Sequence, residues 1–87
     1  MTFKEKIELL KRFDYYVSNK CTGKPDELAE KMKTSRRTIF RLVKAAEFFG
    51  AEVDYDSRIE SYCYKKKGCL RLCFEEFNNE NYPPPYL

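Results

Sequence analysis

An α+β fold, with three helices followed by a two- or three-stranded β-hairpin, is what the sequence predicts on three observations. Apolar residues recur every three or four positions up to Gly50, and the period falls to two directly afterwards. The helical stretch is broken twice, at "SNKCTGK" and at "KTS", by residues that favour caps and turns. Each break is followed by a good helix start.

The first helix opens with "TFKE", a capping box in which Thr2 accepts from the backbone near Glu5 and Glu5 reaches back. Phe3, Ile7, Leu10, Phe13 and Val17 then form one apolar face. Asp14 lies close to that stripe and is expected to act as a structural hydrogen-bond acceptor rather than a functional acid. Ser18, Asn19 and Gly23 end the helix. Pro25 takes a first-turn position in the next helix, where its missing N–H costs nothing. Asp26 and Glu27 suit the positive end of that helix. It should run for about eight residues and bury Leu28, Ala29 and Met32.

Ser35 is the N-cap of the third helix and Gly50 its stop. At about 100° per residue, Ile39, Leu42, Val43, Ala46 and Phe49 fall on one side. Arg37, Arg41, Lys44 and Phe48 fall on the other, flanked by Arg36 and Phe40. Beyond Gly50, Ala51, Val53 and Tyr55 alternate with Glu52 and Asp54 as a first strand. "DSR" (56–58) reads as a turn and "IESYCYK" as a second strand. "KKKG" is a further turn, and "CLRLCF" a third short strand with Leu70, Leu72 and Phe74 on one side. The tail "NNENYPPPYL" is excluded from helix and central strand, because three consecutive prolines supply no N–H donors. Residues 1–74 therefore read as one domain and 75–87 as an acidic, Pro/Tyr-rich tail.

At 87 residues, with 43% hydrophobic and 16% aromatic residues, the chain can bury one modest core. Its net charge of +3 is unevenly spread. Residues 1–50 hold 12 Lys/Arg against 7 Asp/Glu, whereas residues 75–87 hold three Glu and no Lys or Arg. Five cations lie within "KTSRRTIFRLVK" (33–44). A positive field of this kind attracts polyanions. No apolar run approaches the roughly 20 residues of a membrane span. The charged N-terminus is no signal peptide, so a cytoplasmic location is expected.

The segment "PDELAEKMKTSRRTIFRLVKAAEFFGAEVDYD" resembles the helix-turn-helix and wing of small bacterial DNA-binding domains of the DeoR and biotin-repressor types. The matching residues are Glu27, Leu28, Ala29, Ser35, Arg36, Arg37, Thr38, Ile39, Phe40, Arg41, Gly50 and Ala51, within residues 7–65. The resemblance implies a winged helix-turn-helix with a C-terminal two- or three-stranded wing. It also implies transcription regulation through insertion of helix 35–49 into the major groove, with wing 51–65 on the adjacent backbone or groove. Lys33 stands where the family's turn usually carries Gly, so the turn either takes another geometry or tolerates a non-glycine residue at positive φ.

The residues expected at double-stranded DNA follow. Arg37 and Arg41, one helical turn apart, suit guanine O6/N7 or phosphate. Ser35, Thr38 and the free N–H groups at the helix start suit phosphate. Phe40 suits a thymine methyl, and Arg36, Lys44, Lys24 and Arg58 complete the set. Helix-turn-helix proteins often act as dimers on paired half-sites, so a homodimer belongs to this reading. The tail is expected to pack across the domain, either its own or a partner's, near the outward-facing Phe48.

Nothing points to catalysis: there is no His, no Gly-rich phosphate loop and no convincing acid pair. Cys21, Cys63, Cys69 and Cys73 lack zinc-site spacing and are expected as free thiols packed like small apolar groups. No metal or cofactor is expected. The competing function class is a winged helix used as a protein-interaction module without DNA binding.

Overall fold

The computed structural model describes residues 2–71 and residue 74. Its elements are α1 (Phe3–Ser18), α2 (Pro25–Lys31), α3 (Arg36–Phe48), β1 (Val53–Asp56) and β2 (Ser61–Tyr64). The two strands pair antiparallel, with Val53 opposite Tyr64 and Asp56 opposite Ser61.

All three helices end in the same way. In each, a residue just past the C-cap takes positive φ: Lys20 (53°) after α1, Lys33 (53°) after α2 and Gly50 (98°) after α3. The two orphan carbonyls of each last turn are then satisfied. The Lys33 and Thr34 N–H groups donate to Glu30 and Ala29, those of Lys20 and Cys21 to Val17 and Tyr16, and those of Gly50 and Ala51 to Glu47 and Ala46. These are Schellman motifs. Lys33 thus holds the left-handed conformation that glycine would take without steric cost. Lys33→Gly is expected to be neutral or to stabilise by up to about 1 kcal/mol. A denaturation midpoint that falls clearly on this substitution would contradict the turn.

The capping at the helix starts also follows the sequence. Thr2 Oγ1 accepts from the Glu5 N–H at 3.2 Å, and Ser35 Oγ from the Thr38 N–H at 3.2 Å. Glu27 closes the start of α2 by accepting from the Lys24 N–H at 3.1 Å. Gly23 makes room for this: a Cβ there would come within 3.2 Å of Glu27 Cβ, and its φ of +75° disfavours other residues.

The buried core draws on α1, α2, α3 and β2, and Val53 and Tyr55 of β1 pack against it. Phe13 and Val17 of α1, Leu28 and Ala29 of α2 with its C-cap Met32, then Ile39, Leu42 and Ala46 of α3, and Tyr62 of β2 form one buried cluster. The hairpin is fastened to the helices by polar contacts as well. Thr22, fully buried between α1 and α2, donates its N–H to Ser61 Oγ at 3.1 Å. Its hydroxyl oxygen accepts from the Tyr62 N–H at 2.8 Å. Asp14 accepts from the Tyr64 hydroxyl at 2.7 Å and from the Leu70 N–H at 2.8 Å. It is the structural acceptor its place beside the apolar stripe implies. Burial raises the Tyr64 phenol well above its ordinary pKa, and the bond to Asp14 adds to this.

Several sequence expectations are corrected. Phe3 is 77% exposed and Phe49 60% exposed, so neither belongs to the core. Both sit at helix ends, Phe3 opening α1 and Phe49 capping α3. The second strand starts at Ser61, because residues 57–60 form a four-residue turn with Glu60 at φ 49°. Among the described residues the sheet has two strands, and residues 69–71 are not strand. The Leu70 N–H is instead taken by Asp14. Leu72 and Cys73 of the expected third strand, and the tail, lie outside the described residues. Cys21 and Cys69 are exposed rather than packed; Cys63 is half-buried.

Candidate nucleic-acid interface

The turn through Met32, Lys33 and Thr34 leads from α2 straight into α3. Ile39, Leu42 and Ala46 anchor α3 inward, which turns its opposite face to solvent. Arg37, Arg41 and Lys44 are all exposed on that face. Residues four apart on a helix surface stand roughly 5–6 Å apart at Cβ, so Arg37 and Arg41 form a close cationic pair.

The nine residues expected at DNA divide by what already holds them. Among the described residues, neither Arg37 nor Arg41 makes an ion pair within the chain. Arg36 is engaged: its Nε lies 3.2 Å from Asp26 Oδ1, and its guanidinium sits over the Phe40 ring at 5.5 Å. The pair is exposed and so worth little on its own, but it and the stack turn the Arg36 guanidinium toward Asp26 and Phe40. Phe40 is 45% exposed, and its ring is partly used by Arg36. Ser35 is committed as the N-cap, and its hydroxyl lies 3.2 Å from that of Thr38, which is half-buried. Both hydroxyls are therefore less open than the sequence implies.

Lys44 makes a loose contact with Glu47 at 3.8 Å, and Lys24 with Glu60 at 3.9 Å. Arg58 stands in the hairpin turn, its Nη2 3.3 Å from Asp56 Oδ2. The arginine's hydrogen bond holds the Asp56 carboxyl below its ordinary pKa, and the carboxylate raises that of Arg58 in return. These are exposed pairs of the kind worth little, so a stronger anion displaces the carboxylate easily.

Three positioning residues had no signal in the sequence. Thr22 and Ser61 meet across 39 positions, and two isolated hydroxyls carry no periodicity. Asp26 reads as a favourable charge at a helix start, and only the approach of α2 to α3 gives it Arg36. Among the described residues, no helix is long and apolar enough to cross a membrane. Protein-family models, curated proteins and solved structures were all searched, and none matches this chain.

Proposed function

We propose that this protein is a small bacterial DNA-binding regulator of the winged helix-turn-helix kind, with α3 as the helix that enters the major groove. The observation that carries this reading is the exposed Arg37–Arg41 pair, without an ion-pair partner among the described residues, on the outward face of the second of two tightly joined helices. Arginine is the commonest reader of guanine, through O6 and N7. The first-turn N–H groups of α3 that lack intrahelical acceptors suit a phosphate oxygen. The β1–β2 hairpin is compatible with a wing, and Arg58 at its turn suits an adjacent phosphate. Lys44 and Lys24 add contacts that do not depend on sequence. Two copies on paired half-sites would follow the habit of helix-turn-helix proteins.

The test is binding of the full chain to fragments selected from a random duplex pool, measured across salt concentrations. A DNA reader that neutralises several phosphates loses affinity linearly on a logarithmic scale, with a slope of about −0.9 per phosphate. Four to six contacts predict a loss of roughly a hundredfold or more between 50 and 200 mM salt. The second reading, a protein-interaction module, is favoured by the exposed rings of Phe3, Phe48 and Phe49. A flat salt profile with no enriched sequence would support that reading and remove the first.

A further inference from the structure

A groove runs between the first half of α1 and the middle of α3, lined by Phe3, Ile7, Leu10, Leu42, Ala45 and Phe49 and enclosing about 580 Å³. At Ile7, Leu10 and Phe49 it is continuous with a smaller hollow of about 180 Å³, which Leu70 completes. Two of its aromatic walls, Phe3 and Phe49, are mostly exposed to water. Its rim is cationic: Lys6 and Arg41 line the larger part, and Lys11 and Arg71 the smaller. An apolar floor with a positive rim suits an acidic segment that carries aromatic side chains.

The chain supplies such a segment. The described run ends beside the groove at Leu70 and Arg71. The residues that follow Phe74 are "EEFNNENYPPPYL", with three Glu, no Lys or Arg, and Phe77, Tyr82, Tyr86 and Leu87 as apolar groups. Reach is not limiting: eleven residues beyond Arg71 span up to roughly 35 Å, whereas Leu10 to Phe3 along α1 is about 10 Å. Pro83, Pro84 and Pro85 have little conformational freedom to lose on docking. A two-fold pairing of groove on groove would instead set the same cationic rim against itself.

We propose that the groove between α1 and α3 is the docking site for residues 75–87 of the same chain. The carboxylates of Glu75 and Glu76 match the charges of Lys11 and Arg71, and the tyrosine rings match the apolar lining of Phe3, Ile7 and Phe49. The inference does not rest on DNA binding, although Arg41 belongs both to this rim and to the face proposed for DNA.

The experiment is NMR on the full-length protein without DNA. The expected result is cross-relaxation between the Ile7 methyl groups and the Tyr82 or Tyr86 ring, unchanged on dilution. Tyr82→Ser with Tyr86→Ser should abolish it and shift the Ile7, Leu10 and Phe49 resonances. Phe3→Ala and Phe49→Ala should abolish it with helical dichroism intact, since both rings are exposed. Lys6→Glu should weaken it. Absence of these cross-peaks in the parent at low salt overturns the proposal. So do cross-peaks that fade on dilution together with a dimeric sedimentation mass, which assign the groove to a second copy.

Discussion

The double variant Arg37→Ala, Arg41→Ala is expected to lose about 2–6 kcal/mol of affinity for a selected duplex, at about 1–3 kcal/mol for each base-reading arginine. Neither side chain makes an ion pair among the described residues, and both are exposed. Truncating them should therefore move stability by no more than about 0.5 kcal/mol. The loss would belong to binding, and an unchanged thermal melt would show it. Arg36→Ala gives a contrasting pattern. It removes the link to Asp26 and the stack on Phe40, so its effect on binding comes through the placement of α3. If the double variant binds duplex as tightly as the parent, with its fold intact, α3 does not enter the groove.

Phe13→Ala is expected to cost about 3–5 kcal/mol of folding free energy. The Phe13 ring is fully buried, with the Tyr62 ring 6.4 Å away, and it joins α1 to the hairpin. At roughly 0.05–0.15 kcal/mol per residue, a domain of this size holds only about 4–13 kcal/mol in all. The variant should melt far below the parent or lack a cooperative transition. Phe3→Ala is the matched comparison. Both phenylalanines occupy the same apolar stripe of α1, yet Phe3 is 77% exposed, and its removal should cost far less than that of Phe13, limited to its contact with the docked tail. Equal effects in a calorimetric melt would mean that the core is misplaced along α1.

That pair of phenylalanines shows what was legible in the residues and what was not. Periodicity names a face of a helix, and on that basis Phe3 and Phe49 were indistinguishable from Phe13 and Ile39. How far along the helix the neighbouring elements extend is a property of the assembled chain, and it leaves both end positions uncovered. The helix boundaries were legible because their causes are local. Thr2, Ser35, Pro25 and Gly50 act on backbone groups within four residues of themselves. Lys20 was not legible, since a lysine in the left-handed conformation has no side-chain signature. At Lys33 only the family resemblance raised the question of a positive φ.

The cationic face followed the same division. Helical spacing alone segregates Arg37, Arg41 and Lys44 from Ile39, Leu42 and Ala46, so the sequence determined which side of α3 meets solvent. The tertiary structure decided which cations on it are paired among the described residues. Arg36 meets Asp26 only because α2 packs beside the start of α3, whereas Arg58 meets Asp56, two residues away, within the local turn. Likewise, the sequence by itself determined three helices followed by alternating strands, through interactions that reach one turn or one residue pair. The docking of the hairpin on α1, through Thr22 with Ser61 and Asp14 with Tyr64, was decided by contacts between residues 39 and 50 positions apart. Such contacts have no period to read, because their partners are chosen by the packing of whole elements.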